Sequence, residues 1–234
     1  MSEIIKDPVI LYEDNHIVVL VKPANMLVQG DSTGDPDVLS WLKQYIKEKY
    51  NKPGEAFIGL VHRMDRPVGG LLVFARTSKA ASRLSEQVRT REFEKEYLAA
   101  AHGRFGESAG QMEDLLWYNR SLRKSRVMQE TGKDVKRALL SYEVLAYCEG
   151  QDVSLVRIRL HTGRTHQIRV QFASRDHALL GDRKYGAGEQ DGCRIALWSY
   201  KISFLHPQSG QPIAFSAPPP AEFPWNLFNL SELS

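Results

Sequence analysis

The stretch Gly59-Leu-Val-His-Arg-Met-Asp-Arg-Pro-Val-Gly-Gly-Leu-Leu-Val-Phe-Ala75 joins a charged loop to an apolar run. Leu71 to Ala75 has the length and content of a buried strand. Gly69 and Gly70 just before it let the backbone turn sharply or approach a ligand closely, where a side chain would collide. Ahead of them Asp65 stands between Arg63 and Arg66, and cations so near favour an ionised carboxylate. Such an Asp, presented on a loop beside the core, can serve as a nucleophile. The same residues also suit a solvated Arg-Asp-Arg cluster on a tight turn, where ion pairs are worth little.

Working outward, Val9 to Tyr12 and His16 to Val21 are β-prone runs separated by Glu13-Asp14-Asn15, which predicts a hairpin. Lys22-Pro23 ends the second strand. Asp35-Pro36 reads as an N-cap and first helical position, and Val38, Leu39, Leu42, Tyr45, Ile46 and Tyr50 recur at helical spacing. Thr77 or Ser78 caps a second helix whose apolar face is Ala80, Ala81, Leu84 and Val88. Strands are expected at Glu94 to Ala101, Leu139 to Ala146 and Val153 to Leu160. A helix is expected from Thr165 to about Ser174, and a closing hairpin from Ile195 to Leu205 and Pro212 to Phe215.

Strands and helices mix without regular β-α-β alternation, which favours an α+β fold. With 234 residues, 42% hydrophobic and 25% charged, a single domain over 1–234 is the economical expectation. No apolar run approaches the ~20 residues of a membrane helix, and the first residues lack a signal-peptide layout. Cys148 and Cys193 stand far apart, outside any paired spacing, so neither zinc nor a disulfide framework is expected, and the cytoplasm is the natural compartment. His161 and His166 are five apart with no Cys nearby, which suits hydrogen-bonding histidines, as for His62, better than a metal site. Between Asn119 and Arg137 seven cations (Arg120, Arg123, Lys124, Arg126, Lys133, Lys136, Arg137) face two acids, a local excess of five that fits a phosphate backbone.

Several blocks together carry a resemblance. His62-Arg-Met-Asp-Arg66 followed by Gly69-Gly-Leu-Leu-Val-Phe-Ala75 closely resembles the catalytic motif of the RluA-type pseudouridine synthases. Asp14 to Met26, with a strand ending in Lys-Pro, resembles the family's first motif, and Lys95-Glu-Tyr-Leu-Ala99 the segment carrying its active-site tyrosine. Leu160-His-Thr-Gly-Arg-Thr-His-Gln-Ile-Arg169 and Gly181-Asp-Arg-Lys-Tyr-Gly186 resemble the later blocks, in the family's order. Departures are Met64 where Leu is usual, Val68-Gly69-Gly70 where a hydroxyl residue precedes the last glycine, and Leu197-Trp-Ser199 where Leu-His-Ala is common. No domain of S4 type is expected ahead of the first motif.

The resemblance implies a catalytic domain with a mixed, largely antiparallel sheet, flanking helices and a central RNA-binding cleft. It implies an isomerase that detaches uracil from C1′ of an RNA uridine, rotates it and rejoins it through C5, without cofactor or metal. Asp65 is then the catalytic group, Arg164 its ion-pair partner in a site that expels water, and Tyr97 the residue that stacks on the base and takes part in proton transfer. Because the base must leave its stack, Arg63 would fill the vacated space or hold a phosphate, while Arg123, Lys124 and Arg126 contact RNA. The expected partner is structured rRNA or tRNA, bound by a monomer. A catalytically silent RNA-binding or RNA-folding protein is the alternative, though it has no need of an Asp facing phosphates. A glycosidase normally needs a second carboxylate, which no motif here supplies.

Overall fold

A computed structural model describes residues 6–51, 53–186 and 191–232. Residues 1–5, 52, 187–190 and 233–234 lie outside that description. The fold is α+β, with eleven strands and three α-helices among the described residues and strand pairings that are largely antiparallel. Two compact units divide it, Met1–Glu94 with Ser199–Ala217, and Lys95–Trp198 with Pro218–Ser234.

In the first unit β1 (Val9–Glu13) and β2 (Ile17–Lys22) form the predicted antiparallel hairpin. Asp14 closes its turn, its Oδ1 accepting from the His16 and Ile17 N–H groups. The sheet runs β1-β2-β4-β10, where β4 is Gly69–Ala75 and β10 is Leu197–Leu205. β3 (Gly59–Leu60) adds to β4, and β11 (Pro212–Ser216) closes the expected hairpin on β10.

The unbroken apolar run of β4 has a simple cause, since both sheet faces are covered. On one face Leu72 and Phe74 join Val18 and Leu20 against Val38, Leu42 and Ile46 of α1 (Val38–Lys49). On the other, Leu71 and Val73 join Ile17 and Val19 against Ala80 and Leu84 of α2 (Ser78–Thr90). Thr77 caps α2 as expected, its hydroxyl accepting from Ala80 N–H. For α1 the capping residue is Asp37, which accepts from Ser40 N–H, and not Asp35. The first turn simply starts two residues later, leaving Asp35 to pair with Arg66 Nη1 at 2.7 Å.

The second unit is an antiparallel sheet with spatial order β5-β9-β8-β6-β7. These are β5 (Glu94–His102), β6 (Ala109–Asn119), β7 (Lys124–Met128), β8 (Lys136–Cys148) and β9 (Val153–Leu160). β5, β8 and β9 are the strands expected from sequence, whereas β6 and β7, in and before the basic region, were not expected. β6 escapes the alternation test because only Met112 and Leu116, four apart, are buried on it. α3 (Gln167–Ala173) is shorter than expected, and every residue from Gln167 to Phe172 is buried, its polar Gln167, Arg169 and Gln171 included.

Candidate active site

In the first unit the charged loop from Val61 to Val68 leads into β4. Asp65 closes a turn, its carbonyl accepting from Val68 N–H at 3.0 Å, so the carboxylate is half-buried on a folded corner. Arg66 fastens the outside of that corner, donating from Nε to Asn25 O at 3.0 Å and pairing with Asp35. Arg63 is exposed.

The inside is held by a residue that sequence alone marks only as a strand end. Lys22 is fully buried, and its ammonium donates to the carbonyls of Pro23, Met26 and Arg66 at 2.9, 2.8 and 3.0 Å. Three acceptors saturate the three N–H bonds of a lysine. Burial pushes Lys22 down to about 7, while the nearby Asp65 charge pulls it up and Arg66 pushes it down. Lys22 thus lays a cation under the Asp65 turn and ties its backbone to β2. The available signal was a lysine ending an otherwise apolar strand, at a place where a charge would need partners.

Gly70 meets its expectation in a different way. Its φ of +114° and the nearness of Ser199 leave no room for a side chain, since an added Cβ would lie 2.6 Å from Ser199 N. The close approach is therefore strand to strand, β4 to β10, and not to a ligand. Ser199 donates its hydroxyl to Leu71 O at 3.1 Å, which satisfies it in a buried position.

In the second unit Tyr97 sits on β5 opposite Ile158 and is 6% exposed. Arg164 lies at an exposed position, donating from Nε to Arg137 O and from its backbone N–H to Gln167 Oε1, both at 3.0 Å. The buried arginine of the same motif is Arg169, five residues on. It grips the buried Asp182 with two hydrogen bonds of 2.8 and 2.7 Å. Asp182 also caps the Lys184 and Tyr185 N–H groups, which explains the Gly-Asp-Arg-Lys-Tyr-Gly block as a fixed turn. Arg169 looks in sequence like one more charge on an amphipathic helix, and only the burial of Gln167 to Phe172 reveals its setting.

The basic region forms the β6–β7 hairpin and the start of β8. Arg120, Arg123 and Arg126 are exposed, and Lys124 Nζ stands 5.0 Å from the Tyr185 ring. Tyr185 receives Ser125 N–H at 2.6 Å and meets His166 Nδ1 at 2.8 Å. Arg137 is neutralised by a two-bond pair with Glu113, at 2.6 and 2.7 Å, so the stripe is less basic than its sequence count. His161 bonds Ser141, and His62 packs on Phe93 with Nε2 3.4 Å from Val73 N. Among the described residues, no three His, Cys, Asp or Glu side chains gather to hold a metal.

The model of the family described as RNA pseudouridylate synthase matches residues 16–174, a span containing Lys22, Asp65, Tyr97, Arg164 and Arg169. The chain belongs to that family. An uncharacterised RNA pseudouridine synthase of Bacillus subtilis is 34% identical over 91% of this chain and 69% of its own length. Ribosomal large subunit pseudouridine synthase D of Vibrio parahaemolyticus is 33% identical, covering 90% and 67%. Ribosomal large subunit pseudouridine synthase C of Buchnera aphidicola is 30% identical, covering 89% and 66%, so the chain spans about two thirds of these relatives. In fold it matches a solved human protein, RNA pseudouridylate synthase domain containing 4, with a TM-score of 0.78 over 94% of this chain and 91% of that one at 22% identity. As an RNA pseudouridine synthase of RluA type, the protein is an intramolecular isomerase.

Proposed function

We propose that the protein isomerises uridine in large-subunit ribosomal RNA, with Asp65 as the catalytic group. The observation that carries the reading is the Asp65 turn, tied by Lys22 from within and by Arg66 from outside. A carboxylate on a fastened corner spends little entropy on positioning when substrate arrives. The reaction breaks the C1′–N1 bond and forms C1′–C5, with the C5 proton lost and N1 protonated. Tyr97, nearly buried on a strand, offers a ring face to the flipped base and a hydroxyl for the C5 proton.

In this reading an arginine of the Leu160–Arg169 motif keeps the carboxylate ionised. Arg164 is the candidate by motif, since the buried Arg169 is already paired with Asp182. Arg63, Arg123, Lys124 and Arg126 contact the RNA backbone. Ribosomal RNA is preferred because three relatives at or above 30% identity are ribosomal large subunit synthases, with tRNA as the second class. The protein acts as a monomer in the cytoplasm. Release of tritium from C5-labelled, unmodified rRNA but not tRNA is the expected result. Release from tRNA alone would overturn the substrate assignment.

A further inference from the structure

Lys22 and Lys95 are both pushed down in pKa by burial, yet their ammonium groups differ in what they touch. Lys22 has three carbonyl acceptors and no capacity left. Lys95, on β5 two residues before Tyr97, is half-buried, and among the described residues no oxygen accepts from it. Burial is the cause of that shift, and among the described residues no carboxylate compensates its charge. A cation partly stripped of water without a counter-charge is costly unless something else pairs with it.

The space beside that ammonium is open. Lys95 Nζ lies 3.7 Å from the point where a Cβ on Gly163 would sit, and among the described residues no other non-neighbouring heavy atom comes within 4 Å of that point. In the same loop the N–H groups of His161 and Thr162 bond Leu139 O and that of Arg164 bonds Gln167. The Gly163 N–H has no protein acceptor among the described residues. An uncommitted ammonium, an uncommitted N–H and a missing side chain together define a small anion site. On a strand, residues two apart share a face and stand about 7 Å apart, so Lys95 and Tyr97 face the same side.

We propose that Lys95, with the open side of Gly163, binds one backbone phosphodiester of the RNA next to the uridine stacked on Tyr97. This rests on the reading of Tyr97 as the base-stacking residue, and it gives a role to a lysine that the chemistry leaves unused. The site recognises a phosphodiester by charge and close backbone approach and reads no base.

The test is binding of poly(U) and of an unmodified large-subunit rRNA transcript at a series of salt concentrations. Lys95→Met and Gly163→Asp, the latter placing a carboxylate beside the ammonium, should each weaken poly(U) binding about tenfold. Each should lower the slope of log affinity against log salt by about 0.7, the value for one phosphate of a single strand. Lys95→Arg should keep the wild-type slope. An unchanged slope in a Lys95→Met protein that melts like wild type overturns the proposal. Should Lys95→Met fail to fold, an unchanged slope in Gly163→Asp overturns it equally, because that exposed position has room for a side chain. Inorganic phosphate that stabilises wild type but not Lys95→Met, with equal RNA binding by both, would assign the site to a free anion and also overturn it. Tritium release is scored separately, so loss of slope in the variants without turnover of rRNA by wild type counts against the substrate assignment alone.

Discussion

Lys22 places a saturated ammonium beneath the turn that presents Asp65. Lys22→Met would leave three carbonyls without donors. Because each buried orphan costs roughly 1 kcal/mol or more, the variant should lose about 2–4 kcal/mol in urea unfolding. In the fold Lys22 titrates at about 7, against 10.5 for a free lysine. Between those values the unfolded chain binds more protons, so this group adds stability as pH rises from 7 towards 10. The gap in urea midpoint between wild type and Lys22→Met should therefore widen from pH 7 to 9.5, and a narrowing gap would contradict the burial argument. Asp182→Ala would strand the buried Arg169 charge and should cost about 3–5 kcal/mol by the same assay. Asp65 and Tyr97 were open to proposal from sequence because their motifs are local. The partners of Lys22 and Arg169 were not, since residues as far apart as 22 and 66 meet only after the strands have closed.

At the scale of elements, β4 joins the Asp65 loop to the core, and Gly70 is its tightest point. Gly70→Ala would force a side chain into the Ser199 backbone at a positive φ, with an expected loss of about 2 kcal/mol or more in thermal unfolding. A neutral outcome would mean that β10 yields easily. The β6–β7 hairpin is the basic element, held by Lys184 Nζ on Arg123 O at 2.8 Å and by Asn119 Oδ1 on Leu122 N–H at 3.0 Å. Neutralising Arg123, Lys124 and Arg126 together should weaken RNA binding and flatten its salt dependence by about two to three phosphates in the slope. An unchanged slope would make the hairpin an ordinary solvated surface. The helices α1 and α2 and the strands β2 and β4 were readable because their apolar periods are strong. β6 and β7 were not, because a strand with Gln111, Glu113 and Asp114 among its residues carries too weak an alternation.

For the whole molecule, the order of the sequence blocks proved more informative than any single residue count. The irregular mix of strands and helices pointed to α+β, and the family match together with the solved human relative bears that out. The net charge of +3 said little, and part of the basic stripe it concealed is cancelled by Glu113, outside the counted segment. The central claim is that Asp65 performs the isomerisation. The most direct measurement is single-turnover tritium release from C5-labelled, unmodified rRNA by wild type and Asp65→Asn, with RNA affinity and melting temperature measured on the same preparations. Asp65→Asn should bind RNA and melt like wild type while release falls to background. Release by Asp65→Asn at a rate near wild type would contradict the account.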